Sequence, residues 1–526
     1  MGILRVAAVV AGLVIACCSA PAWTDTPAAE TARPLLLEKA GEKRKLPQRL
    51  LGGSAEALIE HLIDDPSKVA ALKDMAPAFV RFPGGSQANY YNWRTGLLDI
   101  EATDRSSEYT RFWVRVASKI RAAFPQGVSI QEYAKFNQEI GAEVVLVPNL
   151  ETSSVAEQVA WFRRMKEEGI VPRWIELGNE FWIAMGFDPD VMKRWPDEPT
   201  SIQIMKRYAD ALRPFLPPGA RVAVQSAGSA FSRRSHPVHP AGKRLQQWDE
   251  DLKPEPWFDA VTLHLYPRVD EIMGEPDSAK GFRQPEQSMR MFKALMARCD
   301  QGVDRVVDDT RRRLPGKEIW ITEWNPRGGD YKTPDEPSPG MLAQLVSRMT
   351  FAFLRHQEVT MSLYFTFNFN RGSAHCVFYQ EGQGRFAPVP LAVALSWFHQ
   401  AANGGATYQR FIEAGGRAVP GGGVREESYL EVEAGLFSTS GRVTLIVQNC
   451  SPETRVLQIP RDLSLSTKAP SLVETLAAPD LTSTKMASPV KGALESGGHV
   501  QIPPYSLTRI VWTGTVDAPA SSGPDN

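Results

Sequence analysis

Two short runs hold the side chains best suited to chemistry. Residues 174–180 read WIELGNE and end on Asn179 and Glu180; residues 318–325 read EIWITEWN and end on Glu323, Trp324 and Asn325. Each run sets a carboxylate just past an apolar, β-rich stretch. Two facing carboxylates can break a glycosidic bond by double displacement. One is protonated and gives its proton to the leaving oxygen; the other is ionised and attacks the anomeric carbon. A separation of about 5–5.5 Å leads to a covalent intermediate and retained configuration, whereas about 6.5–9.5 Å leaves room for a water and inverts it. Either glutamate alone is one of 60 acidic residues and is read more simply as a solvated loop side chain. The pair, each member closing a strand, points to a site.

Other strand ends offer supporting groups. In FVRFPGGSQANYYNW (79–93), Arg81 can accompany a carboxylate and keep it ionised. Gly84 and Gly85 allow a close backbone approach, and Asn89 adds an amide. In AVTLHLYP (260–267), His264 and Tyr266 alternate with Leu263 and Leu265, so both face one side of their strand. A tyrosine hydroxyl there can hold a nucleophile in place. Tyr90, Tyr91, Trp93, Trp182 and Trp324 can stack on sugar rings or simply pack the rim. His375 and Cys376 read as structural.

The elements that must position these groups repeat one unit. Strand-like runs begin at Arg49, Phe79, Glu143, Trp174, Arg221, Ala260, Glu318 and Ser362. Amphipathic stretches lie between most of them, at 55–75, 130–140, 155–168, 201–212, 289–314 and 340–356, with 392–402 after the last. Tyr133, Phe136 and Ile140 form one helical face. Strands alternating with helices imply a parallel sheet, and eight units of about 40 residues imply a (β/α)8 barrel, whose active site lies at the C-terminal ends of its strands. An open doubly wound sheet is the other possibility, but Leu51-Gly52-Gly53-Ser54 is not a Gly-rich phosphate turn.

After about residue 403 the texture changes. YLEVEAGLFS, RVTLIVQN, RVLQIP, HVQIPP and LTRIVWTG are short alternating runs between turn clusters, which predicts an antiparallel β-sandwich. The expected organisation is a signal at 1–22, a linker or sandwich-associated strand at 23–44, the barrel at 45–403, the sandwich at 404–516 and a disordered tail at 517–526.

The N-terminus fits export. MGILRVAAVVAGLVIACCSAPAW has one Arg, an apolar run too short to span a bilayer stably, and an A-x-A site at Ala20-Pro21-Ala22. Val14-Ile15-Ala16-Cys17 also loosely matches a bacterial lipobox, which would anchor a lipid on Cys17. The expectation is a secreted or periplasmic chain, with a membrane contact only through that lipid. Lys and Arg total 59 against 60 Asp and Glu. That balance does not suit a protein built to grip nucleic acid or an anionic surface. Beyond the signal, Cys299, Cys376 and Cys450 are far apart and show no C-x-x-C spacing, so a zinc ribbon or disulfide framework is not expected. With no H-E-x-x-H and no Asp-rich calcium loop, neither a metal nor a cofactor is expected.

The order RFPGGSQANYYNW, WIELGNE, TLHLYP, ITEWN resembles the clan A glycoside hydrolases, above all the family 51 alpha-L-arabinofuranosidases and the family 79 heparanase-like beta-glucuronidases. The likeness covers about residues 45–515, since those families pair a (β/α)8 barrel with a C-terminal β-sandwich. It implies that Glu180 is the acid/base, Glu323 the nucleophile, Asn179 a donor to the sugar 2-hydroxyl, and Arg81 and Tyr266 the residues that orient Glu323. It implies a polysaccharide or oligosaccharide substrate and no cofactor. After Asn179-Glu180, however, the chain runs Phe-Trp-Ile-Ala-Met-Gly, unlike the family 51 segment and without the Pro common in family 79. Arabinosyl, glucuronosyl and xylosyl substrates, and exo or endo action, all stay open. A catalytically silent polysaccharide-binding barrel is the competing class; it has no need of both glutamates.

Overall fold

The computed structural model describes residues 32–513 apart from 61, 64, 101–107, 181–194, 196, 227–246, 268–271, 274–284, 327–336, 370–376, 381–384, 424, 460–468, 479, 483–487 and 496–497. Eight parallel strands close a barrel in chain order: β1 (Leu51–Ser54), β2 (Phe79–Phe82), β3 (Glu143–Leu146), β4 (Trp174–Glu176), β5 (Arg221–Gln225), β6 (Ala260–Leu265), β7 (Glu318–Trp324) and β8 (Val359–Phe365). β8 returns to β1 with Ser362 opposite Leu51 and Phe365 opposite Ser54. Closure leaves no unpaired barrel edge. All eight strands expected from the sequence are present.

These strands are apolar almost throughout because both faces are covered. Phe79, Val145, Ala223, Ala260, Trp320, Met361 and Leu363 point inward and form a cluster of their own. Val80, Phe82, Val261, Leu263, Ile319 and Ile321 point outward and join the larger core under the helices. At the N-terminal end of the barrel, Trp174 meets Phe79 edge-on at 5.3 Å and Trp320 at 5.6 Å. Aromatic rings therefore plug that end, and the charged inward residues collect at the other.

Local signals set the helices. Ile130–Ile140 starts at a capping box between Ser129 and Glu132 and stops at Gly141 in the left-handed conformation, burying Ile130, Tyr133, Phe136 and Ile140. The stretch 55–75, expected as one helix, is two: Ala57–Glu60 and Pro66–Met75. Asp65 caps the second and Pro66 opens it, a start signal that overrides the apolar periodicity. The stretch 289–314 is likewise Pro285–Ala297 and Val303–Arg313, joined by a π-turn over Arg298–Gly302.

The C-terminal part is a β-sandwich. Thr407–Glu413, Val432–Ser438, Arg442–Asn449, Ser506–Thr513 and Leu472–Ala477 run in that order across one antiparallel sheet. Arg455–Gln458 and His499–Ile502 pair in a second sheet. Side chains from both meet in one core, among them Phe411, Leu445, Leu457, Val500, Ile502, Ile510 and Trp512. Leu37–Lys39 and Arg44–Lys45 pair with Thr407–Glu413, and Arg33–Leu35 pairs in parallel with Arg455–Gln458. The chain thus enters through the sandwich before it builds the barrel. The strands at 407–413 and 472–477 were not among the sequence-derived runs.

Helices Pro339–Arg355 and Pro390–Ala402 join the two parts. Phe351, Trp397 and Phe398 pack on Tyr408, Phe437, Ile446 and Leu507 of the sandwich. Beside this apolar seam, Glu433 accepts from Arg348 Nη1 and Arg355 Nη2 at 2.6 Å each and from Arg410 Nε at 2.7 Å. Among the described residues, no helix is long and apolar enough to cross a membrane.

Candidate active site

The site lies where the C-terminal ends of β2, β4, β6 and β7 converge. Strict alternation along β7 would send Thr322 and Glu323 to opposite faces. The pairing of β6 with β7 shifts between Leu263 and His264, so Leu263 faces Ile321 while His264 faces Glu323. The pairing of β7 with β8 shifts at the same level, between Ile321 and Trp324. This bulge turns two consecutive side chains into the barrel and sends the next one out.

Arg81 on β2 is the centre of the arrangement. It is fully buried and spends three of its donors on three residues. Nε donates to Glu176 Oε2 at 2.7 Å, Nη1 to Glu323 Oε1 at 2.5 Å and Nη2 to Asn179 Oδ1 at 2.8 Å. Tyr266 donates its hydroxyl to the other Glu323 oxygen at 2.5 Å. Glu323 is thus gripped on both oxygens. Because Asn179 Oδ1 already accepts from Arg81, its Nδ2 is the end left to donate, with only a long contact of 3.5 Å to Ser86 Oγ.

Glu180 sits across from Glu323. Its backbone φ of 46° is in the left-handed region that a non-glycine residue seldom adopts. Asn89 holds the neighbouring backbone there: its Nδ2 donates to Asn179 O at 2.8 Å and its Oδ1 accepts from Asn179 N at 3.2 Å. Glu180 Oε1 lies 2.6 Å from His264 Nδ1. Glu180, His264 and Glu323 bring polar atoms within 4.8 Å of one another. The two carboxylates thus face each other across the mouth of the barrel.

The glycines after β2 have separate reasons. Gly84 has φ +129°. A Cβ on Gly85 would lie 2.8 Å from Glu323 Oε1 and 3.2 Å from the Phe365 ring, so only glycine lets this backbone pass under the carboxylate.

The electrostatics follow from burial and crowding. Burial opposes charge on Arg81, but Glu176 and Glu323 outweigh it and hold the guanidinium above its ordinary range. Burial also opposes charge on His264; Glu323 and Glu180 outweigh it and push the imidazole up to about 10. Glu176 is raised by burial and lowered more by Arg81 and His264, so it stays below the usual carboxylate range. Glu323 is raised: burial and Glu180 push it up, against His264, Arg81 and the Tyr266 hydroxyl. Among the described residues, three carboxylates therefore share one guanidinium and one imidazolium. The same three polar atoms are close enough to ligate a metal ion, but only with His264 neutral, since an imidazolium has no lone pair to give.

Arg81, Gly85, Asn89, Asn179, Glu180, His264, Tyr266 and Glu323 are thus brought together, with Gly84 beside them. Asn325 turns aside to donate from Nδ2 to Phe365 O at 2.5 Å. One expected sugar wall is corrected. Trp324 is 1 % exposed and packs edge-on against Phe353 and Tyr364, because the bulge sends it outward into the core. Trp93 is half-buried, packs partly on that same core and has the Arg94 guanidinium over its ring at 4.2 Å. Tyr90 and Tyr91 are also buried. Trp182, His375, Cys376 and Cys17 lie outside the described residues, as do the signal and the tail at 517–526.

Sequence reading missed two members. Glu176, fully buried on β4, accepts from Arg81 and from Thr322 Oγ1, the latter at 2.9 Å. Thr322 Oγ1 is in turn 3.2 Å from His264 Nε2. The available signal was a carboxylate inside an otherwise apolar strand, which needs partners to be buried.

Comparison of structures locates this architecture. Over 90 % of this chain and 99 % of the other, it superimposes on the family 51 alpha-L-arabinofuranosidase of Bifidobacterium longum, with a TM-score of 0.63 at 15 % identity. This chain has the family 51 fold. The GH51 arabinofuranosidase of Xanthomonas axonopodis pv. citri matches over 89 % and 97 % of the two chains, with a TM-score of 0.57 at 16 % identity. A Paenibacillus polymyxa xyloglucanase of glycoside hydrolase family 44 matches over 92 % and 100 %, with a TM-score of 0.56 at 12 % identity. No protein-family model and no curated protein matches the sequence.

Proposed function

We propose that the protein is a retaining glycoside hydrolase that removes alpha-L-arabinofuranosyl or related residues from oligosaccharide or polysaccharide. The observation that carries this is the approach of Glu180 and Glu323 to within 4.8 Å at the open end of the barrel. In the first step Glu323 attacks the anomeric carbon while Glu180 gives its proton to the departing oxygen. The glycosidic bond breaks and a glycosyl ester of Glu323 forms. In the second step Glu180, now ionised, takes a proton from a water whose oxygen attacks the same carbon and releases Glu323. Arg81 and Tyr266 fix the nucleophile and keep its attacking oxygen aligned. Asn179 Nδ2 donates to the 2-hydroxyl of the bound sugar. The His264 imidazolium stabilises the charge that appears on Glu180 as its proton leaves.

The test is hydrolysis of 4-nitrophenyl glycosides, with 4-nitrophenyl alpha-L-arabinofuranoside first, followed by proton NMR of the first-formed sugar. Release with retained configuration is expected. An inverted first product would sink the mechanism, and no cleavage of any aryl glycoside or polysaccharide would sink the enzyme reading. The equally extensive likeness to a xyloglucanase supports endo action as the second reading. It predicts oligosaccharides rather than monosaccharides from xyloglucan.

We further propose that residues 1–22 direct export to the periplasm or medium, with a lipid on Cys17 where the lipobox is used. The mass of the mature N-terminus, before and after Cys17→Ser, distinguishes the two.

A further inference from the structure

Glu176 is the one carboxylate of the cluster with no part in the double displacement, and yet it touches both halves of the site. It is fully buried on β4. Its Oε2 accepts from Arg81 Nε at 2.7 Å, and Arg81 Nη1 reaches Glu323. Its Oε1 accepts from Thr322 Oγ1 at 2.9 Å and lies 3.7 Å from His264 Nε2, while His264 Nδ1 reaches Glu180. A buried carboxylate is costly unless fully paired, and an isosteric apolar residue would serve packing as well. Resting on the assignment of Glu180 and Glu323 made above, we infer that Glu176 is a positioning residue that couples them. It holds Arg81 against the nucleophile on one side and, through Thr322 and His264, holds a charged imidazole against the acid on the other.

The groups facing His264 are Glu176, Glu180, Thr322, Glu323 and, beyond Glu176 and Glu323, Arg81 and Tyr266. Removing the Glu176 charge takes one anion away from His264. Its imidazolium then deprotonates at lower pH, by about one to three units. The alkaline limb of kcat/KM, which falls where that imidazolium is lost, moves down with it. Glu323 also ionises at lower pH, and the acid limb follows. Thr322→Val cuts only the His264 branch. It moves the alkaline limb and leaves the acid limb, because Arg81 still joins Glu176 to Glu323.

The experiment uses full-length Glu176→Gln and Thr322→Val with two readouts. The first is the His264 ring-proton titration in protein labelled at histidine, assigned with His264→Gln. The second is the pH profile for 4-nitrophenyl alpha-L-arabinofuranoside. Both His264 titrations moving to lower pH supports the inference, even if no glycoside is cleaved and the enzyme reading fails. Unmoved titrations overturn it. So does a cleaving enzyme in which Glu176→Gln lowers kcat equally at every pH, as a merely structural residue would. If Glu176→Gln does not fold, Thr322→Val decides alone: an unmoved His264 titration overturns the inference.

Discussion

Two buried clusters of opposite charges, one at the barrel mouth and one at the seam with the sandwich, are balanced differently. At the seam, Arg348, Arg355 and Arg410 all converge on Glu433. Arg355 also pairs with Asp300 and with Asp304, the latter at 2.8 Å. Burial pushes Glu433 up, but Arg355, Arg348 and Arg410 pull it down to about 2. Both Glu433 oxygens accept from guanidinium groups, which do not release protons. At the mouth, Glu176, Glu180 and Glu323 face one guanidinium and one imidazole among the described residues. Carboxylates outnumber fixed cations there, so the surplus is met by protons, which move. Both clusters are buried ion networks. The ratio of arginine to carboxylate separates the one that fastens from the one suited to proton transfer.

That contrast can be broken or sharpened by substitution. The largest effect is expected from Glu323→Ala, which should lower kcat/KM on aryl glycosides by roughly 10⁴-fold or more while leaving the thermal midpoint near wild type. Glu180→Ala should cost about 10²–10⁴-fold on substrates with poor leaving groups and little on activated ones. Equal loss on both, measured with a series of aryl leaving groups, would remove its assignment as the acid. Glu433→Ala should reverse the pattern. It leaves the converging guanidinium groups without their carboxylate and should cost about 3–5 kcal/mol in urea unfolding, with kcat of the folded fraction unchanged. Because Glu433 is held below its ordinary value, its stabilisation is present above about pH 4.5 and is lost as pH falls toward about 2. Urea midpoints measured through that window should fall more steeply for wild type than for Glu433→Gln. The smallest catalytic effect belongs to Trp324→Phe. It should leave KM within about twofold and cost about 1–3 kcal/mol of stability, the signature of a core residue and not of a sugar wall.

Much of this was legible in sequence. The eight strand runs, the helix at 130–140 and the strand at 442–449 follow from periodicity and caps, which act over a few neighbours. The two glutamates were legible because each closes an apolar strand. Trp324 was misread because one bulge on β7 inverts the faces that alternation assigns, and a bulge is specified by the pairing of β6, β7 and β8 together. Glu176 was passed over because its partners lie 95 and 146 positions away, on β2 and β7.

By itself, then, the sequence determined the barrel-and-sandwich class and the residue types able to do acid–base and nucleophilic chemistry. Both are written in local patterns of polarity. Only the tertiary structure decided which of the 60 acidic residues meet and which are fastened by arginine. Those are properties of distance and burial, set when the barrel closes and Arg81 is forced to share its donors among Glu176, Asn179 and Glu323.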